Sequence, residues 1–107
     1  MDVELLVVPE CPNEAAAYDL TVAALAELDI DASVSVTVID TDQQAQARGF
    51  TGSPTLLING RDPFAEPGAP LGVACRMYPT ASGLTGFPAL AELREKLRSE
   101  LRRIATS

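Results

Sequence analysis

The strongest constraint on this chain is the stretch from Leu5 to Asn13. A continuously apolar run, Leu5-Leu6-Val7-Val8, stops at Pro9 and passes through Glu10 to Cys11, Pro12 and Asn13. Apolar residues without alternation are the pattern of a central strand covered on both faces. Proline suits the first turn of a helix, where its missing N–H would be unbonded anyway. The sequence therefore predicts a strand over 3–8, a helix opening at Pro12, and a thiol at the helix N-terminus. Unbonded N–H groups and the helix dipole favour an anion there, which makes Cys11 a candidate nucleophile. A small buried side chain is the plain alternative.

Strong helix formers continue to about Leu28, with Ala16, Leu20, Ala24 and Leu28 along one face. Asp29-Ile30-Asp31 ends that helix, and Ser33 to Val38 alternates strictly. Alternation predicts a strand with one face buried and one wet, at a sheet edge or under partial cover. Thr41-Asp42-Gln43-Gln44 opens a short helix that closes near Gly49. Ser53 to Gly60 reads as a strand that begins at Pro54 and ends in an Asn-Gly turn. Arg61 to Gly72, rich in proline and glycine, reads as a loop, Val73 to Tyr78 as a last strand, and Pro79 to Gly86 as a second loop. Phe87-Pro88 starts a final helix whose Leu90, Leu93, Leu97, Leu101 and Ile104 form one apolar stripe. A short coiled-coil seam is the rival reading of that stripe.

A chain of 107 residues, nearly half of them apolar, suits one domain over 1–107 with one core. Met1-Asp2-Val3-Glu4 has no basic leader pattern, and no run approaches the length of a membrane span. The expected compartment is the cytoplasm, where two cysteines are expected to be free, transient or catalytic. Their spacing fits no zinc pattern, and the absence of histidine excludes an imidazole base or ligand. No metal site and no bound cofactor are expected. All eight basic residues lie at or beyond Arg48, while the first 47 residues hold ten acids; the net charge is −7. That distribution argues against nucleic acid or an anionic membrane as partner, and a solvated acidic surface accounts for it.

The element order β-α-β-α-β-β-α, with Cys11 after the first strand and Pro54 opening the third, resembles the thioredoxin-like superfamily. Cys11-Pro12-Asn13, Gly52-Ser53-Pro54-Thr55 with Asn59-Gly60-Arg61-Asp62, and Ala74-Cys75-Arg76-Met77-Tyr78 resemble more closely a group of small bacterial thioredoxin-like proteins. Some of those are described as selenoprotein relatives or are associated with alkylmercury lyases. The resemblance implies an α/β thioredoxin fold: a four-stranded mixed sheet of order 2-1-3-4, its last two strands antiparallel, flanked by three helices. It also implies a cis bond before Pro54, lying against Cys11 and exposing the backbone of Ser53 for a substrate chain to pair with. The chain departs from the Cys-x-x-Cys pattern, because Glu14 stands at the fourth position. What remains is single-thiol chemistry at Cys11, with an external thiol or Cys75 resolving the product.

The resulting candidate site has Cys11 as nucleophile, Pro54 as the shaping proline and Cys75 as a candidate resolving thiol. Pro12, Ser53, Thr55, Arg76, Gly83 and Leu84, with Gly86, are candidate substrate contacts. Glu14 reads as an acid suited to the helix start or as a proton shuttle. The helix terminus favours a thiolate by ~1 kcal/mol, while Glu10 and Glu14 oppose it; any cation must arrive through the fold from Arg48, Arg61 or Arg76. In a 2-1-3-4 sheet, Cys75 lies about two strand spacings, roughly 10 Å, from the first strand, beyond the roughly 7 Å between Cα atoms that a disulfide tolerates. Cys75 then packs in the sheet unless the chain is irregular there. Arg61 to Gly72 is expected at the far end, and Pro79 to Gly86 beside the cysteine, with Tyr78 bordering that pocket or packing on the last helix. Three functions follow: a thiol-disulfide oxidoreductase acting on a small thiol or protein disulfide, a redox-inactive binding module, or a thiolate site for mercury or copper(I). The alternating second strand, if an open edge, is a pairing surface for a homodimer.

Overall fold

The computed structural model describes residues 1–106, the last of them in backbone only. β1 (Val3–Val7) is the middle strand of a three-stranded sheet, parallel to β2 (Val34–Val38) and antiparallel to β3 (Thr55–Ile58). Leu5, Leu6 and Val7 are fully buried, because successive strand side chains leave opposite faces and both faces are covered. Val3, Leu5 and Val7, with Leu56 and Ile58, pack against Ala17, Ala24 and Leu25 of α1 (Glu14–Glu27) and Leu93 and Leu97 of α3 (Leu90–Thr106). On the other face, Leu6 packs with Ile39, Phe50 and Ala45 of α2 (Asp42–Arg48). The ends of α2 are set locally. Thr41 accepts the Gln44 N–H, Gln44 accepts the Thr41 N–H in return, and Gly49 closes the helix in the left-handed region at φ 63°.

α1 begins two residues later than its proline predicts. Cys11-Pro12-Asn13-Glu14 instead forms a turn closed by the Glu14 N–H on the Cys11 carbonyl at 3.3 Å. Proline is equally suited to the second position of such a turn. β2 is an edge strand, but its alternating face is not buried: Val34 is half-buried, whereas Val36 and Val38 are exposed.

The four-stranded sheet of order 2-1-3-4 does not form. Asn59 and Gly60 make the expected turn with positive φ, and Ile58 and Arg61 exchange both backbone hydrogen bonds, at 2.8 and 3.1 Å. The return ladder stops there, because Pro63 has no N–H and Asp62 Oδ1 takes the Phe64 N–H at 2.9 Å. The loop then brings the chain back to the start of β3, where the Gly72 N–H meets the Phe50 carbonyl at 3.2 Å. From there the expected strand over 73–78 runs beside Ser53 in the same direction and touches it in a single parallel bridge at Cys75. β4 (Tyr78–Thr80) and β5 (Gly83–Thr85) form a separate antiparallel hairpin that starts at the last residue of the expected strand and takes up most of the segment expected to be loop. The thioredoxin sheet with an antiparallel fourth strand is thereby overturned in favour of three strands plus a hairpin.

The apolar stripe of α3 also leaves the core early. Leu93 and Leu97 are buried, but Glu100 follows them inward while Leu101 and Ile104 are exposed. Glu100 accepts hydrogen bonds from Asn59, Arg61 and Arg103. Those bonds, that from Arg103 foremost, hold its carboxyl down at about 2 against an ordinary 4.5. A depressed carboxylate stabilises the fold above its unfolded pKa and loses that contribution as pH falls through the folded one. Glu100→Gln is expected to lower stability at neutral pH by about 1 kcal/mol. In thermal unfolding against pH, its deficit relative to wild type should shrink as pH falls from 4.5 toward 2; a deficit independent of pH contradicts the assignment.

Candidate thiol site

Cys11 sits in the turn between β1 and α1, partly buried against the main core cluster. The turn is entered through Glu10 in the left-handed region at φ 57°. Asn13 caps α1 by position, yet its side chain bonds no helix N–H. It lies over Gly86 instead, so closely that a Cβ there would overlap the Asn13 carboxamide. The exit of the β4–β5 hairpin is therefore in contact with the start of α1. Gly83 and Leu84 lie on that hairpin, both exposed, Leu84 to 67%.

Ser53, fully buried, is bonded in three directions. Its Oγ accepts the Val8 N–H at 3.0 Å, its N–H donates to the Ala74 carbonyl at 2.7 Å, and its carbonyl accepts the Arg76 N–H at 2.9 Å. The Ser53–Pro54 peptide bond is cis. The buried Pro54 carbonyl accepts the Tyr78 hydroxyl at 2.5 Å, and burial pushes the Tyr78 phenol up, so it remains a donor. The backbone of Ser53 is thus not open to a substrate chain, since residues 74–76 already fill that edge. Cys75 belongs to this filling segment. It is exposed and opens on a cleft of about 200 Å³ lined also by Thr51, Glu66, Ala69, Arg76 and Met77. Both cysteines are free thiols. Cys11 lies in the turn four residues beyond the end of β1, and Cys75 forms the parallel bridge beside Ser53.

The three arginines expected as sources of a cation for the thiolate are committed elsewhere. Arg48 pairs with Glu4 at 2.5 Å and Arg61 with Glu100 at 3.1 Å. Arg76 bonds Asp62 at 2.6 Å, Thr55 Oγ1 at 3.3 Å and the Phe64 carbonyl at 2.5 Å, with its guanidinium 4.5 Å from the centre of the Tyr78 ring. Arg76 is therefore a clamp between β3, the loop and the hairpin. Thr55 serves the same clamp and also donates to the Gly52 carbonyl at 2.5 Å. The expected residues Ser53, Pro54, Thr55, Cys75 and Arg76 form one connected cluster, to which the Cys11 turn is linked through the end of β1, the shared core and the Asn13–Gly86 contact. Sequence reasoning missed Asp62 and Gly52 as members, and placed Tyr78 beside the cysteine or on the last helix without its bond to Pro54. A proline-rich loop hides the first, and nothing in residue spacing links the pairs.

Gly52 has φ 141°, and a Cβ there would meet Arg76 Cβ at 2.8 Å and its backbone at 3.2 Å. Gly52→Ala is expected to cost about 1–3 kcal/mol, because the clamp backbone must move. Gly86→Ala meets only the end of the Asn13 side chain and should cost less than about 1 kcal/mol. Urea denaturation of the two variants checks this; equal losses contradict the role of the Gly52 contact.

Among the described residues, no group of three or more His, Cys, Asp or Glu side chains is arranged to hold a metal ion, and no helix is long and apolar enough to cross a membrane. Comparison with protein-family models, with curated proteins and with solved structures finds no match, so the functional reading rests on the site and on the sequence resemblance.

Proposed function

We propose that this protein is a single-thiol redox protein in which Cys11 exchanges with a small or peptide disulfide, as its resemblance to thioredoxin-like proteins at Cys11 and Pro54 implies. The observation that supports this reading is a free thiol in the turn leaving β1, behind which Val8 is tied to the buried Ser53. A fixed backbone holds the sulfur in one place while its turn remains on the surface.

The Cys11 thiolate attacks one sulfur of a disulfide R–S–S–R′. The S–S bond breaks, R′S⁻ departs with the bonding pair and takes a proton from water, and Cys11 is left in a mixed disulfide with R. A second, low-molecular-weight thiolate attacks the R sulfur, forms a new disulfide and returns Cys11 as thiolate. One thiol is oxidised for each one released. An external thiol resolves the mixed disulfide in this scheme because Glu14 occupies the position of the usual internal partner. With the Ser53 edge filled, the substrate approaches from the hairpin side, over Gly83 and Leu84.

The test is turnover of a glutathione mixed disulfide, with adduct mapping by mass spectrometry. Cys11→Ser should lower turnover by more than about 100-fold and abolish the adduct, while Cys75→Ser, outside this scheme, should leave both within about twofold. Absence of turnover in the wild type, or turnover unaffected by Cys11→Ser, overturns the reading and leaves a binding module.

A further inference from the structure

We infer that the outer edge of β2 docks an extended strand from a partner protein, one with alternating apolar residues and with Lys or Arg at both ends. This surface is separate from the thiol site. β2 pairs on one side only, with β1. The Ile39 N–H donates to the Val7 carbonyl at 2.7 Å, and a parallel ladder repeats every two residues. The N–H and C=O groups of Val36 and Val38 therefore face away from the sheet. Their side chains stand in register with Leu5 and Val7, on the face that carries α1, yet they are 40% and 48% exposed.

The helix does not cover them, because it leans the other way. One flank of α1 faces α3, where Glu27 pairs with Arg94. The opposite flank carries Tyr18 and Val22, one turn apart and both exposed. Tyr18 and Val22 thus lie on the flank of α1 away from α3, and exposed apolar side chains on helix and strand accompany an open row of peptide groups. Open edges are usually blunted by lysine, proline, a bulge or a covering element. Val34-Ser35-Val36-Thr37-Val38 has no lysine or proline, and its register with β1 is unbroken.

Charge selects the occupant. Asp29 and Asp31 precede the strand and Asp40 and Asp42 follow it; all four are exposed, and none has an ion pair among the described residues. A second copy paired antiparallel about Val36 would set Val34 opposite Val38 and bring Asp31 of each copy beside Asp40 of the other. Like charges placed opposite each other destabilise a strand pair. A strand with basic ends meets both acidic ends favourably, its main chain supplying the affinity and its alternate side chains the selectivity.

The probe is a synthetic peptide, Lys-Lys-Val-Thr-Val-Thr-Val-Lys-Lys, titrated into the full chain and followed by backbone amide shifts. Saturable shifts at Val36 and Val38 are expected, with affinity reduced about threefold to tenfold in an Asp31→Asn, Asp40→Asn double variant and lost in Val38→Lys. Unchanged amide dispersion in the free variants shows that they fold. Equal affinity for the counterpart with glutamate ends, no shift at millimolar peptide, or dimerisation of the free protein through these same amides overturns the proposal.

Discussion

A buried serine hydroxyl and its peptide group tie the β1–β3 ladder to residues 74–76, a third part of the chain that shares no regular ladder with it. Ser53 receives the Val8 N–H where β1 ends, stands just before the first residue of β3, and holds residues 74–76 by two backbone bonds. In a low-dielectric interior an unpaired N–H or carbonyl costs about 1–3 kcal/mol, so each of these partners depends on the others being in place. The Arg76 clamp completes the layer. Its guanidinium takes Asp62, Thr55 and the Phe64 carbonyl while resting on Tyr78, whose ring packs edge-on between Phe64 and Phe87. The proline-rich loop is therefore anchored through a charged pair whose side chains are largely buried. Such a pair is costly to break from one side, because the remaining charge is left without its partner.

This arrangement gives the thiol site a fixed back and an open front. The back is the Ser53 layer, which consumes the backbone groups that a docking chain would otherwise use. The front is the β4–β5 hairpin, held to the start of α1 by the Asn13–Gly86 contact. Arg48, Arg61 and Arg76 serve Glu4, Glu100 and Asp62. Reactivity at Cys11 in this account rests on placement in the turn, with the resolving thiol supplied from solution.

Much of the scaffold was legible in the sequence. Leu5 to Val8 announced a central strand because residues buried on both faces need no alternation, and Thr41 with Gln44 carried a complete capping box. Other readings failed where one pattern fits two structures. Pro12 suits a helix start and a turn alike, and the turn prevailed because Asn13 is turned toward Gly86. Val73 to Tyr78 reads as a strand, but Asp62 and Pro63 end the return ladder at Arg61 and send the chain round to Ser53 from the other direction. Alternation in β2 predicted one buried face, but Val36 and Val38 stay exposed on the face that carries α1, because periodicity does not specify how far a helix covers an edge strand. In α3 the charge of Glu100 was no signal of exposure, because Asn59, Arg61 and Arg103 converge on it from distant and local positions together.

The central claim, that the Ser53 layer is the joint on which the site is built, is tested most directly by native-state amide hydrogen exchange at Ser53 and Arg76. Both amides donate across that layer, to Ala74 and to Ser53. Exchange of both with opening free energies within about 1 kcal/mol of global unfolding is the predicted result. Exchange as rapid as that of the exposed loop residues Glu66 and Gly68 would contradict it, showing that residues 74–76 detach while the rest of the fold remains intact.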